Sequence, residues 1–142
     1  MRLLGFIALG GAVGSVARFL IGAFIQQRVT TPMPVGTLAV NIIGSLLVGF
    51  LLTYALASSS ISPDVRALLT TGFCGGFTTF STFSYETVAL VQVGDLRRAF
   101  AYIALTVVCS LGAAFAGVYL GQRVIATRHA TVDRREDARF QG

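Results

Sequence analysis

Residues 72–84 read Gly-Phe-Cys-Gly-Gly-Phe-Thr-Thr-Phe-Ser-Thr-Phe-Ser, and this stretch decides how the chain folds. Three glycines and five hydroxyl side chains make a poor continuous transmembrane helix, yet long apolar runs flank the stretch on both sides. In lipid, an interrupted backbone is tolerated only where protein covers it or where it lines a wet cavity. Broken helices of this kind recur at the ion and substrate sites of channels and transporters. The segment therefore points to a site for a small ion.

The surrounding sequence is that of a membrane protein. Of its 142 residues, 54% are hydrophobic and only 12% charged, and the mean hydropathy is +0.76. A soluble domain of this length needs more polar surface. Four apolar runs cover residues 3–25, 36–57, 65–93 and 99–124, each at or above the roughly 20 residues that cross a bilayer. Thr31-Pro32-Met33-Pro34, Ser58-Ser59-Ser60-Ile61-Ser62-Pro63-Asp64 and Gly94-Asp95-Leu96-Arg97-Arg98 punctuate them. The expected fold is an all-α membrane protein of four transmembrane helices with the third one broken. Arg2, an apolar stretch and small residues before Arg18 resemble a signal peptide. Cleavage there would leave a span starting at an arginine, so the mature chain is expected to begin at Met1.

Cys74 and Cys109 fall inside spans and read as small packing residues, not a disulfide. The single histidine, His129, lies in the polar tail, so no metal cluster or Cys/His nucleophile is evident and the chain is not expected to be an enzyme. Lysine is absent, and the net charge of +5 comes from 11 arginines. Residues 1–127 are expected to form the transmembrane domain. Residues 128–142, where Arg134, Arg135 and Arg139 mix with Asp133, Glu136 and Asp137, read as a polar, mobile tail beside the membrane with no nucleic-acid role.

Polar residues inside the spans recur at helical spacing. Gly10, Gly14 and Arg18 share one face of the first span, where small residues four apart allow close helix approach. An arginine within a span reaches a cavity, a partner or the interface, and Arg18 is near enough to the span end to snorkel. Thr37, Asn41 and Ser45 form a row on the second span, and Tyr102, Thr106 and Ser110 form another on the fourth. Asn41 offers two N–H donors and an acceptor. It fits equally well as interhelical glue, worth roughly 1 kcal/mol, or as a pore-lining amide. Two rows of neutral donors without a carboxylate describe a narrow path for an anion.

Phe80 and Phe83 share a face if the third helix resumes after the glycines, and they alternate with Thr79, Ser81, Thr82 and Ser84. Aromatic rings carry a positive edge, which can touch an anion without trapping it. Glu86 is read as facing an aqueous vestibule or, more simply, as pairing with an arginine. Where a helix unwinds, backbone carbonyls lose their partners and can bind a cation. Oxygen ligands without carboxylates suit Na⁺, and Gly75 and Gly76 ease the backbone geometry.

From Gly10 to Gly121 the chain resembles the Fluc (CrcB-type) fluoride channel family. The resemblance rests on Gly10-Gly-Ala-Val-Gly-Ser-Val-Ala-Arg18, on Gly36-Thr-Leu-Ala-Val-Asn-Ile-Ile-Gly44 and, most specifically, on Gly72–Phe83. It implies an antiparallel, dual-topology homodimer in which Phe80 and Phe83 meet fluoride through their ring edges. It further implies that Asn41 and Thr37 line the pore, that Tyr102, Thr106 and Ser110 form a polar track, and that Ser81 belongs to the pore segment. Arg18 matches a basic residue near the pore entrance. The carbonyls of Gly75 and Thr78 would bind a structural Na⁺ at the dimer centre, two from each subunit. Thr106 stands where a serine also occurs in the family, and the tail lies outside the shared pattern.

The implied function is passive export of cytoplasmic fluoride across a bacterial plasma membrane. No nucleotide-binding motif is present. The alternative is a small dual-topology, proton-coupled exporter of toxic compounds, which needs an ionisable carboxylate deep in a span. The only acidic candidate is Glu86, and it sits beside the hydroxyl-rich break, not mid-helix in an apolar span. Near the span ends, Arg2, Arg66, Arg123 and Arg128 fall on one side and Arg28, Arg97 and Arg98 on the other. So even a split gives little orientation bias and predicts insertion both ways.

Overall fold

The structure, a computed structural model, describes residues 1–58 and 61–140, with side chains described as far as Arg128. Every regular element among the described residues is helical: α1 (Arg2–Gln27), α2 (Val35–Ala57), α3 (Pro63–Ala67), a π-helical stretch (Leu68–Cys74), α4 (Gly75–Phe77), α5 (Phe80–Gln92) and α6 (Leu96–Phe140). Three of these helices, α1, α2 and α6 as far as Arg128, are long and apolar enough to cross a membrane. The apolar run at 65–93 is divided among several shorter helical pieces. The backbone of α6 stays helical through Phe140, into the stretch read above as a tail. The mobility expected of that tail, like the structure of Ser59 and Ser60, lies outside the described residues.

Local chemistry explains where the elements begin and end. Ser62 caps α3 by accepting the Val65 N–H at 3.3 Å, with Pro63 and Asp64 in the first turn, an arrangement suited to the free N–H groups and dipole there. Pro34 precedes α2 and supplies no side-chain cap. Gln26 substitutes for one: its Oε1 accepts the Gly36 N–H at 2.9 Å and its Nε2 donates to the Met33 carbonyl at 3.2 Å. Between α5 and α6, Gly94 adopts φ 80°, which favours glycine. The Asp95 carboxylate then accepts the Arg98 N–H at 3.2 Å and pairs with its guanidinium.

Close backbone approaches set the direction of each element. A Cβ on Gly10 would fall on the Leu68 carbonyl and 2.9 Å from the Phe73 nitrogen, and one on Gly14 would lie 3.0 Å from the Phe77 nitrogen. The run from α3 to α4 therefore travels alongside α1 in the same direction. Arg2 pairs with Asp64 at 2.9 Å, tying the two starting ends together. The Gln26 clamp makes α2 antiparallel to α1. Gly49 faces Val118, Gly121 faces Thr53, and the Arg128 guanidinium lies 5.3 Å from the Tyr54 ring centroid, so α2 and α6 run parallel. Met1, Ser58, Ser62 and Arg128 thus share one end of the bundle, and the 28–34 and 93–95 turns share the other. The glycines expected to mediate packing do so.

The interior is narrow. Tyr102, Phe77 and Val40 are its largest fully buried side chains, while Leu4, Phe19, Phe24, Phe100 and Phe115 lie exposed. An apolar exterior of this kind is what a lipid-facing surface requires.

Candidate ion-permeation site

The centre of the site is the gap between α4 and α5. Thr78 (φ −81°, ψ 158°) and Thr79 (φ −151°, ψ 111°) are extended there. Thr79 is buried, and its backbone is held by one side chain from α2. Asn41 Oδ1 accepts the Thr79 N–H at 2.8 Å, and Asn41 Nδ2 donates to the Thr79 carbonyl at 3.1 Å. The Thr79 hydroxyl caps α5, accepting the Thr82 N–H at 3.1 Å and donating to Thr82 Oγ1 at 2.9 Å. The Ser81 hydroxyl lies 3.3 Å from it. Asn41 therefore acts as glue, while one of its two amide hydrogens remains outside this pair of bonds.

A second cluster gathers on Glu86. Thr37 Oγ1 donates to Oε1 at 2.9 Å, and the Tyr102 hydroxyl donates to Oε2 at 2.7 Å. The arginine partner expected for Glu86 is replaced by these two hydroxyls from α2 and α6. Among the described residues the ion pairs are Arg2–Asp64 and Arg98–Asp95. Phe83, 8% exposed, stands over Tyr102 with ring centroids 5.2 Å apart and planes at 53°. Its ring also meets that of Phe80, at 5.6 Å and 49°.

Further along α6 the polar row continues one turn at a time. Thr106 Oγ1 and Ser110 Oγ are buried and meet no hydrogen-bond partner among the described residues. Buried hydroxyls without partners are uncommon and costly. A cavity of about 580 Å³, whose wall includes neither Thr106 nor Ser110, reaches the 28–34 turn at Pro32 and Pro34. Arg18, Gln26, Thr37, Thr79, Thr82 and Glu86 contribute to its wall.

The structure thus brings Thr37, Tyr102 and Phe83 together around Glu86 and joins Asn41 to Thr79, while Thr106 and Ser110 lie further along α6 and Arg18 is half-buried at the cavity. Phe80 is 79% exposed, and Ser81 and Gly75 are exposed as well, so all three lie on the outer surface of the chain. Sequence reading gave no separate role to Thr79, Thr82 and Gln26. Of its two readings of Glu86, the arginine pair is not found among the described residues, while the residue does contribute to the cavity wall. For Glu86 a signal existed, since it is the one carboxylate within the apolar runs. Nothing in the sequence distinguished Thr79 from its neighbouring hydroxyls.

Residues 5–118 match the family described as CrcB-like protein, Camphor Resistance (CrcB). The chain belongs to the CrcB family. Its relatives in that family include the fluoride-specific ion channel FluC of Syntrophotalea carbinolica, 46% identical over 119 residues, which covers 84% of this chain and 97% of that protein. The FluC channel of Aquifex aeolicus is 42% identical over 116 residues, 82% of this chain and 94% of that one. The FluC channel of Shewanella loihica is 46% identical over 129 residues, 90% of this chain and 99% of that one. The matched CrcB region includes both polar rows and the whole 72–84 stretch.

Proposed function

We propose that this CrcB protein is a passive, fluoride-selective channel that lets cytoplasmic fluoride leave the cell. The observation that carries this reading is the pair of buried hydroxyls on Thr106 and Ser110, in line with Tyr102 on α6, that meet no partner among the described residues. Fluoride is small and strongly hydrated, so a pore must replace its water with close donors. Thr106 and Ser110 can supply such donors, and so can the spare amide hydrogen of Asn41. The Phe83 ring edge can contact the ion without holding it. Neutral donors let an ion leave as readily as it enters, where a ring of arginines would trap it. Arg18, at the cavity wall, raises the local anion concentration before the narrow part begins.

The working unit in this proposal is a dual-topology homodimer in the bacterial inner membrane, with the third span (α3 to α5) broken at its middle. Support comes from the outward-facing Phe80, Ser81 and Gly75: a partner subunit would cover pore residues that a lone subunit leaves exposed. A structural Na⁺ belongs to the same proposal. The carbonyl oxygens of Gly75 and Thr78 meet no donor among the described residues, and open space lies beside Gly75, so this chemistry fits a monovalent cation with oxygen ligands. When bound, Na⁺ supplies fixed positive charge beside the anion path.

A proton-coupled exporter would have to use Glu86, and both of its carboxylate oxygens are already engaged by hydroxyl donors. Efflux from liposomes containing the purified protein tests the channel. Fluoride should leave rapidly and chloride should not. Equal fluxes, or no fluoride flux, would defeat the proposal.

A further inference from the structure

We infer that Asn41 is a positioning residue: by capturing the Thr79 N–H, it frees the Gly75 carbonyl and turns the Thr78 carbonyl away from α2. It thereby prepares both oxygens proposed above as cation ligands, and the inference rests on that reading of the site.

In an uninterrupted α-helix each N–H donates to the carbonyl four residues earlier, so Thr79 would donate to Gly75. The bond just before it is intact, with the Thr78 N–H on the Cys74 carbonyl at 3.0 Å. The Thr79 N–H instead lies 2.8 Å from Asn41 Oδ1. The helix is therefore interrupted at the bond that would have used the Gly75 oxygen.

The same hydrogen bond aims a second carbonyl. The Thr78 C=O and the Thr79 N–H belong to one peptide plane, and no peptide bond here is cis. In a trans peptide these two groups point in opposite directions. With the N–H directed at Asn41 on α2, the Thr78 oxygen must face away from α2. The second bond, from Asn41 Nδ2 to the Thr79 carbonyl at 3.1 Å, fixes which end of the carboxamide faces which group. Reversing the amide would set oxygen against oxygen. Asn41 is 8% exposed and Thr79 7%, so bulk water is poorly placed to substitute as the acceptor.

The experiment separates cation binding from conduction. Purified protein is melted across a series of Na⁺ concentrations, with a large organic cation holding ionic strength constant. The wild type should be stabilised by Na⁺. Asn41→Leu removes the acceptor for the Thr79 N–H and should raise the half-saturating Na⁺ concentration at least tenfold. Asn41→Asp keeps the acceptor oxygen for the Thr79 N–H, although its second oxygen then faces the Thr79 carbonyl. The captured N–H still fixes the peptide plane, so this variant should respond to Na⁺ more strongly than Asn41→Leu. The same variant should lose fluoride flux to like-charge repulsion. A wild type indifferent to Na⁺ would remove the cation site itself. A responsive wild type with an equally responsive Asn41→Leu would overturn the positioning role alone. If Asn41→Leu does not fold, Asn41→Asp decides, because loss of its Na⁺ response would also overturn the inference.

Discussion

Replacing Thr106 with valine should make the protein both more stable and a poorer conductor. Thr106 is 6% exposed, and its hydroxyl has no partner among the described residues. A buried hydroxyl left unsatisfied costs about 1–3 kcal/mol. Valine keeps the branched shape and removes the polar atom, so that penalty disappears without opening a cavity. A stabilisation of about 1–2 kcal/mol is expected, the lower part of that range, seen as a higher thermal midpoint in detergent. The cost appears during conduction. A hydrogen bond to a charged group is worth about 1.5–3 kcal/mol, and each 1.36 kcal/mol on a barrier is about tenfold in rate. Fluoride efflux from liposomes should therefore fall by roughly 10- to 100-fold, and Thr106→Ser should restore it. A valine variant that is less stable and conducts normally would refute the reasoning, because the hydroxyl would then serve the fold and not the ion.

Phe83→Ile removes the ring packed on Tyr102 and should cost about 1–3 kcal/mol of stability while slowing fluoride efflux at least tenfold. Phe80→Ile, at an exposed position, should slow efflux with little effect on folding; wild-type flux from both variants would remove the aromatic pair from the path. Gly14→Ala places a methyl group against the Phe73 carbonyl and the Phe77 nitrogen and should destabilise by about 1–3 kcal/mol, whereas Gly112→Ala, with nothing within 4 Å, should be nearly silent in the same thermal melt. Neutralising Arg97 and Arg98 should shift a mixed population towards a cytoplasmic C-terminus. Tag labelling on intact cells reads this out, and a single orientation of the unmodified protein would contradict dual insertion.

Much of the architecture was legible because lipid imposes few options. Apolar length marked α1, α2 and α6, and the glycines at 10 and 14 announced a close backbone approach that the structure contains. Within the hydroxyl-rich stretch at 72–84, Thr78 and Thr79 are extended. The partners of individual polar groups were harder to read. Hydrogen bonds between residues 38 or 49 positions apart, such as Asn41 with Thr79 and Thr37 with Glu86, depend on how α2 lies across the gap, and helical periodicity carries no such information. Arginine is the default partner for a carboxylate by charge. Around Glu86, however, the facing helices present Thr37 and Tyr102 within hydrogen-bonding distance. Gln26 likewise reads as an unremarkable residue at a span end until the turn at 28–34 folds back onto it.

The central claim is most directly tested by the reversal potential of the purified protein in a planar bilayer, under a tenfold fluoride gradient with equal pH and equal chloride on the two sides. A passive fluoride-selective channel predicts a reversal near the fluoride equilibrium potential, about 59 mV for a monovalent ion, unchanged when a pH gradient is imposed. A reversal that follows the pH gradient, or one that sits at zero with chloride carrying the current, would contradict it.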